Sequence, residues 1–265
     1  MRASITSAST LSDTSGARVS LPHLRSFHVT QYPLQANSAA HLLSLVSLPP
    51  DACIHVEIVP LRWDIPLPAV KSVITSLAAK MSTFPTPLDS FHIAMESNFP
   101  QGQWLDFSLG RKRRAETIGG EAAEVHKQLR VSIDFSGESE PYVVALIYHI
   151  WESSLLSSVV DMAVEKVAPS IGWDWLSLAH WGRAAELEVL YVACPASLSL
   201  FAGCLEHHLR TPDAADPFPR LRTVTVDKEK VKATPYPWAR TPLEKIEIAV
   251  AGRRRLGLGP ELILV

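Results

Sequence analysis

Leu221-Arg222-Thr223-Val224-Thr225-Val226 follows a leading leucine with alternating aliphatic and short polar side chains, and the same frame, Leu-x-x-apolar-x-aliphatic, recurs along the chain. The other copies are Leu24-Arg25-Ser26-Phe27-His28-Val29, Leu88-Asp89-Ser90-Phe91-His92-Ile93, Leu187-Glu188-Val189-Leu190-Tyr191-Val192 and Leu243-Glu244-Lys245-Ile246-Glu247-Ile248, with a weaker one at Cys53-x-x-Val56-x-Ile58. A period of two marks a strand that buries one face. Units too short to close a core alone bury it by stacking on one another. The frame therefore predicts an irregular α/β solenoid with a largely parallel sheet and helices on its outer side.

Working outward, helical patterns separate the frames. Asn37 or Ser38 is placed to cap a helix running to Leu48, which Pro49-Pro50 ends. Pro68 suits the first turn of a helix over 69–81, where Val70, Val73, Ile74 and Leu77 share one face. Leu155, Leu156, Val159, Val160, Met162 and Ala163 predict a third helix from Ser153 to Val167, and Ala196 to Leu209 reads as a fourth. In the centre, Trp104 to Leu109, Val131-x-Ile133-x-Phe135 and Val143 to Ile150 read as strands. Arg111 to Arg114 and Gly119-Gly120 read as loop, and their spacing fits either further repeat units or an antiparallel insertion.

With 265 residues, 47% of them hydrophobic, the chain can bury a sizeable core. Residues 1–20, rich in Ser and Thr, predict a flexible lead-in, followed by a single domain over 21–265. The 25 basic and 27 acidic residues nearly cancel, which argues against nucleic acid or an anionic membrane as partner. Cys53, Cys194 and Cys204 are odd in number and lack the paired spacing of a disulfide framework or a zinc site. No run follows Arg2 that would serve as a secretory signal, and none reaches the roughly 18 to 20 apolar residues of a membrane span. These features predict an intracellular, cytoplasmic protein, with the nucleus left open.

Leu21-Pro22-His23-Leu24-Arg25-Ser26-Phe27-His28-Val29, Leu48-Pro49-Pro50 after a Leu-rich helix, and Phe218-Pro219-Arg220-Leu221-Arg222-Thr223-Val224-Thr225-Val226 together resemble the C-terminal leucine-rich-repeat-like region of basidiomycete fungal F-box proteins. The likeness runs from about Leu21 to about Val250. It implies protein recognition, in which the repeats hold a target while an F-box docks on a ubiquitin ligase scaffold. The F-box segment itself is not found in this sequence, so scaffold docking is assigned to no residue. The Asn that follows the strand in standard leucine-rich repeats is also missing, with Tyr32-Pro33 and Cys194-Pro195 in its place.

Motifs of covalent chemistry are sparse. Gly-x-Ser-x-Gly does not occur, and Ser136-Gly137 and Ser170-Ile171-Gly172 read as turns. Gly257-Leu258-Gly259-Pro260 lacks a third glycine and carries a proline that offers no N–H to a phosphate. Cys204, His207 and His208 would share a helix face but lack a fourth ligand, so Cys204 is expected in the core. Arg111-Lys112-Arg113-Arg114 and Arg253-Arg254-Arg255 read as hydrated charge runs, with nuclear localisation as the sharper alternative. Trp173, Trp175 and Trp181 read as a packed aromatic group. No catalytic residue, cofactor or metal site is assigned.

Strand alternation instead points to a surface. With the fourth and sixth frame positions buried, the third and fifth face the other way, and these are Ser26, His28, Ser90, His92, Val189, Tyr191, Thr223, Thr225, Lys245 and Glu247. Such a mixture suits adaptable hydrogen bonding with a protein partner. The expected function is a non-catalytic protein-interaction module. The alternative is a small hydrolase-like α/β enzyme whose site is assembled from scattered His, Asp and Glu residues.

Overall fold

The computed structural model describes residues 2–6, 19–31, 38–59, 67–98, 102–112, 125–134, 146, 149–150, 152–165, 184–211, 216, 218–231 and 241–265. The architecture is mixed α/β, with a large, mostly parallel sheet, helices and no closed barrel. In chain order the elements are β1 (Arg2–Thr6), β2 (Val19–Ser20), β3 (Ser26–Gln31), α1 (Ser38–Leu45), β4 (Val46–Ser47), β5 (Cys53–Ile58), α2 (Leu67–Met81), β6 (Ser90–Asn98), β7 (Gly102–Lys112), β8 (Val125–Asp134), β9 (Asp161–Glu165), β10 (Val189–Val192), α3 (Pro195–Arg210), β11 (Thr223–Val226), α4 (Lys228–Val231), α5 (Pro242–Arg255) and β12 (Glu261–Leu264). They divide into two compact units, one of residues 1–90 and 96–155, the other of residues 91–95 and 156–265. Strands β1 and β2 lie inside the stretch read as a flexible lead-in.

In the first unit the strand order is β1-β3-β5-β8-β7. The first four strands are parallel, whereas β7 and β8 pair antiparallel, from Trp104 opposite Asp134 to Lys112 opposite Val125. Of the two readings of the centre, the antiparallel one holds for this pair. Arg111 and Lys112 complete β7 instead of opening a loop, and the Arg111 guanidinium donates to the Thr86 carbonyl at 2.9 Å. Leu146, His149 and Ile150, read as part of a strand, are helical. Helices α1 and α2 pack together, with Val70, Val73, Ile74 and Leu77 buried as the helical period requires.

In the second unit the order is β6-β9-β10-β11-β12, and the last four strands are parallel and in step. Asp161, Val189, Thr223 and Glu261 lie side by side, so Leu187 and Leu221 hold equivalent places. The helix expected from Ser153 to Val167 is not formed. A 3-10 turn at Ser154–Leu156 leads into β9, whose burial alternates with Met162 and Val164 inside. Val159-x-x-Met162-x-Val164 is a copy of the frame with Val in the leading place, and its apolar residues satisfy a helical and a strand period at once over so short a run.

One local device starts the strands. The N–H of the frame's leading residue donates to the carbonyl three positions earlier in Leu21 to Leu24, Leu156 to Val159, Ala184 to Leu187 and Phe218 to Leu221. This is a β-turn, and Pro22 and Pro219 occupy its second position, where the fixed proline φ is already correct. A similar turn, Pro49 to Ala52, precedes β5. Because Cys53 lies opposite Ser26, however, the weaker frame is displaced by two residues and its third place is Cys53 itself.

The copy at Leu243 is a helix, not a strand. Thr241 caps α5, its hydroxyl accepting from the Glu244 N–H while the Glu244 carboxylate accepts from the Thr241 N–H, and Pro242 follows the cap. Ile246 is therefore buried while Ile248, two positions on, is 46% exposed. The helix ends in a Schellman turn, with Leu258 N–H donating to the Arg253 carbonyl and Gly257 N–H to that of Arg254. Gly257 takes the φ of 75° this needs, and a Cβ on Gly259 would strike the Arg254 backbone. The glycines that lacked a phosphate signature serve to stop this helix.

Arg253, read as part of a hydrated charge run, is 1% exposed. Its guanidinium donates two hydrogen bonds to Asp216, at 2.8 and 2.6 Å, and Asp216 also accepts from the Phe218 N–H. The end of α5 is thus tied to the turn before β11, next to Phe201 and Phe218, whose rings are 4.9 Å apart. Leu190→Ala and Leu221→Ala should each cost ~2 to 5 kcal/mol in urea unfolding, because each leaves a cavity in a packed core. Arg253→Ala, which strands a carboxylate, should cost ~3 to 5 kcal/mol, against under ~0.5 kcal/mol for the exposed Arg255→Ala.

Candidate functional site

Strand alternation in the first unit lines up polar side chains opposite the buried positions. Across β3, β5 and β8 the register sets His28 opposite His55 and His55 opposite Arg130; one step on, Thr30, Glu57 and Ser132 form a second row. Asp106 on β7 lies opposite Ser132. The result is a continuous polar strip of seven residues from four strands. His28 and His55 stack with ring centroids 4.4 Å apart and planes 7° from parallel.

The hydrogen bonds of this strip have a direction. Ser132 donates its hydroxyl proton to Asp106 at 2.6 Å, so His55 Nε2, 3.3 Å from the same oxygen, acts as the donor to Ser132 and carries a proton there. Arg130 holds both oxygens of Asp106, at 2.6 and 3.3 Å. Thr30 donates to Glu57 at 3.3 Å. His28 Nε2, shielded from solvent and without a hydrogen bond, lies 3.5 Å from Glu57 Oε2, an ion-pair distance for a charged imidazole.

Partial burial opposes ionisation of Asp106, but the hydrogen bonds from Arg130 and Ser132 and the charge of Arg130 outweigh it and hold the carboxyl below the usual range. For His55 burial comes first, followed by His28 and Arg130; together they depress its pKa against the pull of Glu57 and Asp106. A hydrolase would need an imidazole to take the serine proton. Here that proton is directed at a carboxylate already neutralised by arginine, and the histidine donates.

In the second unit the third places are Asp161, Val189, Thr223 and Glu261, and the fifth are Ala163, Tyr191, Thr225 and Ile263. Val189, Tyr191, Thr223 and Thr225 are half-buried side by side, as the frame predicts. The Tyr191 hydroxyl donates to Asp227 at 3.3 Å, and Lys230 pairs with the same carboxylate at 3.1 Å. His92 Nε2 lies 3.9 Å from Glu165. Burial leads the causes that raise the Tyr191 pKa, so it is a neutral phenol at physiological pH.

Of the ten surface residues expected, Ser26 and His28 stand on β3, Ser90 and His92 on β6, Val189 and Tyr191 on β10, and Thr223 and Thr225 on β11. Ser90 is buried rather than offered to solvent. Lys245 and Glu247 are not on any strand, because Thr241 and Glu244 nucleate α5 through them. Frame reading passed over His55 and Glu57, although the weaker copy counted from Cys53 puts them in its third and fifth places, and Glu165, whose strand was taken for a helix. It also missed Asp106, whose signal is the alternation of Leu105 and Phe107, Arg130 and Ser132, whose signal is the alternation of Val131 and Ile133, and Asp227 and Lys230, which follow β11 with no pattern of their own.

Cys204 is buried in α3 and its thiol is pushed up to about 12 by that burial, the reverse of what a metal-bound thiolate requires, while His207 is exposed. Among the described residues no three His, Cys, Asp or Glu are arranged to hold a metal ion. None of their helices is long and apolar enough to cross a membrane. Ser136, Gly137, Ser170, Gly172, Trp173, Trp175, Trp181, Arg113 and Arg114 lie outside the described residues, as does the His208 side chain.

Comparison with known proteins gives no match to a protein family, to a curated protein or to a solved structure.

Because Asp106 has a folded-state pKa below its unfolded one, its bonds add stability above the carboxylate range, and this is lost as pH falls through the folded value. Asp106→Asn should therefore destabilise the protein at pH 7, and by progressively less as pH falls below the ordinary carboxylate range, read from urea midpoints along a pH series.

Proposed function

We propose that this chain is a non-catalytic protein-interaction module, built as an irregular leucine-rich-repeat-like solenoid and similar to the target-holding region of an F-box protein of a ubiquitin ligase. The observation that carries this reading is the side-by-side register of Val189 with Thr223 and of Tyr191 with Thr225 on parallel strands, half-exposed, while Leu190, Val192, Val224 and Val226 are buried. Neighbouring strands thereby build one surface from short, hydrogen-bonding side chains. The turns Leu21-Pro22-His23-Leu24 and Phe218-Pro219-Arg220-Leu221 support the family likeness, since they are the stretches on which it rests.

The module acts by equilibrium recognition. Ser, Thr, His and Tyr present both donors and acceptors on a rigid sheet, so binding orders few side chains and loses little conformational entropy. Scaffold docking forms no part of the role assigned to these residues. The target is a protein, and neither nucleic acid nor a membrane is its ligand.

The test compares proteins retained from cell extract by wild type and by two double variants, Ser26→Ala with His28→Ala and Thr223→Ala with Thr225→Ala. A target held by the wild type should be retained about tenfold less by at least one variant, with a Tm within ~2 °C of wild type. Equal retention of every bound protein by all three forms would remove this surface from the function.

A further inference from the structure

The face-to-face imidazoles of His28 and His55 have a consequence for pH that is independent of any partner. Two neutral rings stack at 4.4 Å without penalty. One imidazolium is also tolerated, because Glu57 Oε2 stands 3.5 Å from His28 Nε2. Two imidazoliums at this separation set like charges face to face.

The surroundings offer little to offset the second charge. On β5 the strip carries Cys53 and Glu57 on either side of His55. On β8 it carries Arg130, opposite His55 and of the same sign as an imidazolium, with Asp134 beyond Ser132. Asp106 on β7 is engaged by Arg130 and Ser132. On the other side, the β1 register places Ser4 opposite His28 and Arg2 opposite Ser26. Glu57 is thus the described carboxylate adjoining the stack that no cation already holds in an ion pair.

We propose that the stacked His28 and His55 form a proton-operated latch between β3 and β5: neutral or singly charged, the rings stay face to face, and double protonation in mild acid drives them apart. The protons come from solvent and add to ring nitrogen lone pairs; on His55 the acceptor is Nδ1, because Nε2 already donates to Ser132. No other bond is made or broken. The depressed pKa of His55, caused first by burial and then by His28, agrees with this geometry. Its sign follows from linkage: the folded state resists protonation, so stability is complete above the ordinary imidazole value of 6.5 and is lost as pH falls through the folded one.

The experiment is an NMR titration of the histidine ring protons in the full chain, for wild type, His28→Asn and His55→Asn, with Tm measured at pH 7.5 and 5.5. In the wild type the His55 ring should titrate below the ordinary imidazole value of 6.5, in part because of its neighbour His28. In His28→Asn the midpoint of His55 should rise, and the Tm lost between the two pH values should shrink to less than half. A His55 midpoint unmoved in His28→Asn, or an undiminished Tm loss in that variant, would overturn the latch. Should His55→Asn not fold, for want of the Ser132 contact, the wild-type titration and His28→Asn decide the question by themselves.

Discussion

A parallel strand exchanges slanted hydrogen bonds with its neighbour, and this ladder holds most of the strand faces in place. In the second unit the exchange extends past the strand ends. The Val160 carbonyl accepts from Glu188 and Val189, the Glu188 carbonyl from Arg222 and Thr223, and at the far end Ala193, Asp227 and Val265 donate back to the strand before. A slip of one residue would send Leu190 and Val224 outward and Tyr191 and Thr225 inward, so a buried hydrophobic row enforces the register. The turns that close on Leu187 and Leu221 set the starting point of each strand, and the ladder then carries the alignment along its length.

The connections back to the sheet need their own attachment, because a parallel strand cannot be reached by a hairpin. In the second unit α5 is secured by a charge taken into the core. Arg253 and Asp216 are paired through two hydrogen bonds, and the pairing joins a helix end to the turn that opens β11. A buried ion pair contributes less through net energy than through the penalty for separating its members. The pair joins the last turn of α5 to the stretch before β11, alongside the Schellman turn that leads the chain into β12.

The polar strip follows from the same alternation, seen from its other side. Its two rows are one residue wide, three and four strands across, and the register brings each residue opposite its neighbour. A hydroxyl stands between a histidine and a carboxylate, and its hydrogen bonds run one way. With the Ser132 proton given to Asp106 and the His55 proton given to Ser132, the chain of donors ends on an arginine-bound carboxylate. Such a strip is suited to presenting donors and acceptors, and its histidine stack makes that presentation depend on protons.

The amino-acid sequence by itself determined the local elements whose signals are local: the strands at Ser26, Val189 and Thr223 from a period of two, α2 from a period of 3.6, and the proline turns that precede β3 and β11. It also carried the capping box of Thr241 and Glu244, a signal strong enough to turn a strand-like copy of the frame into α5. What only the tertiary structure decided was pairing. The short apolar run around Met162 fits either period until β10 offers it an edge. The antiparallel direction of β7 on β8, the place of Arg253 in the core and the stacking of His28 on His55 each require partners far away in the chain. Hydrogen bonds and ion pairs depend on distances of a few ångströms, and spacing along a sequence does not encode them until the backbone has brought the strands together.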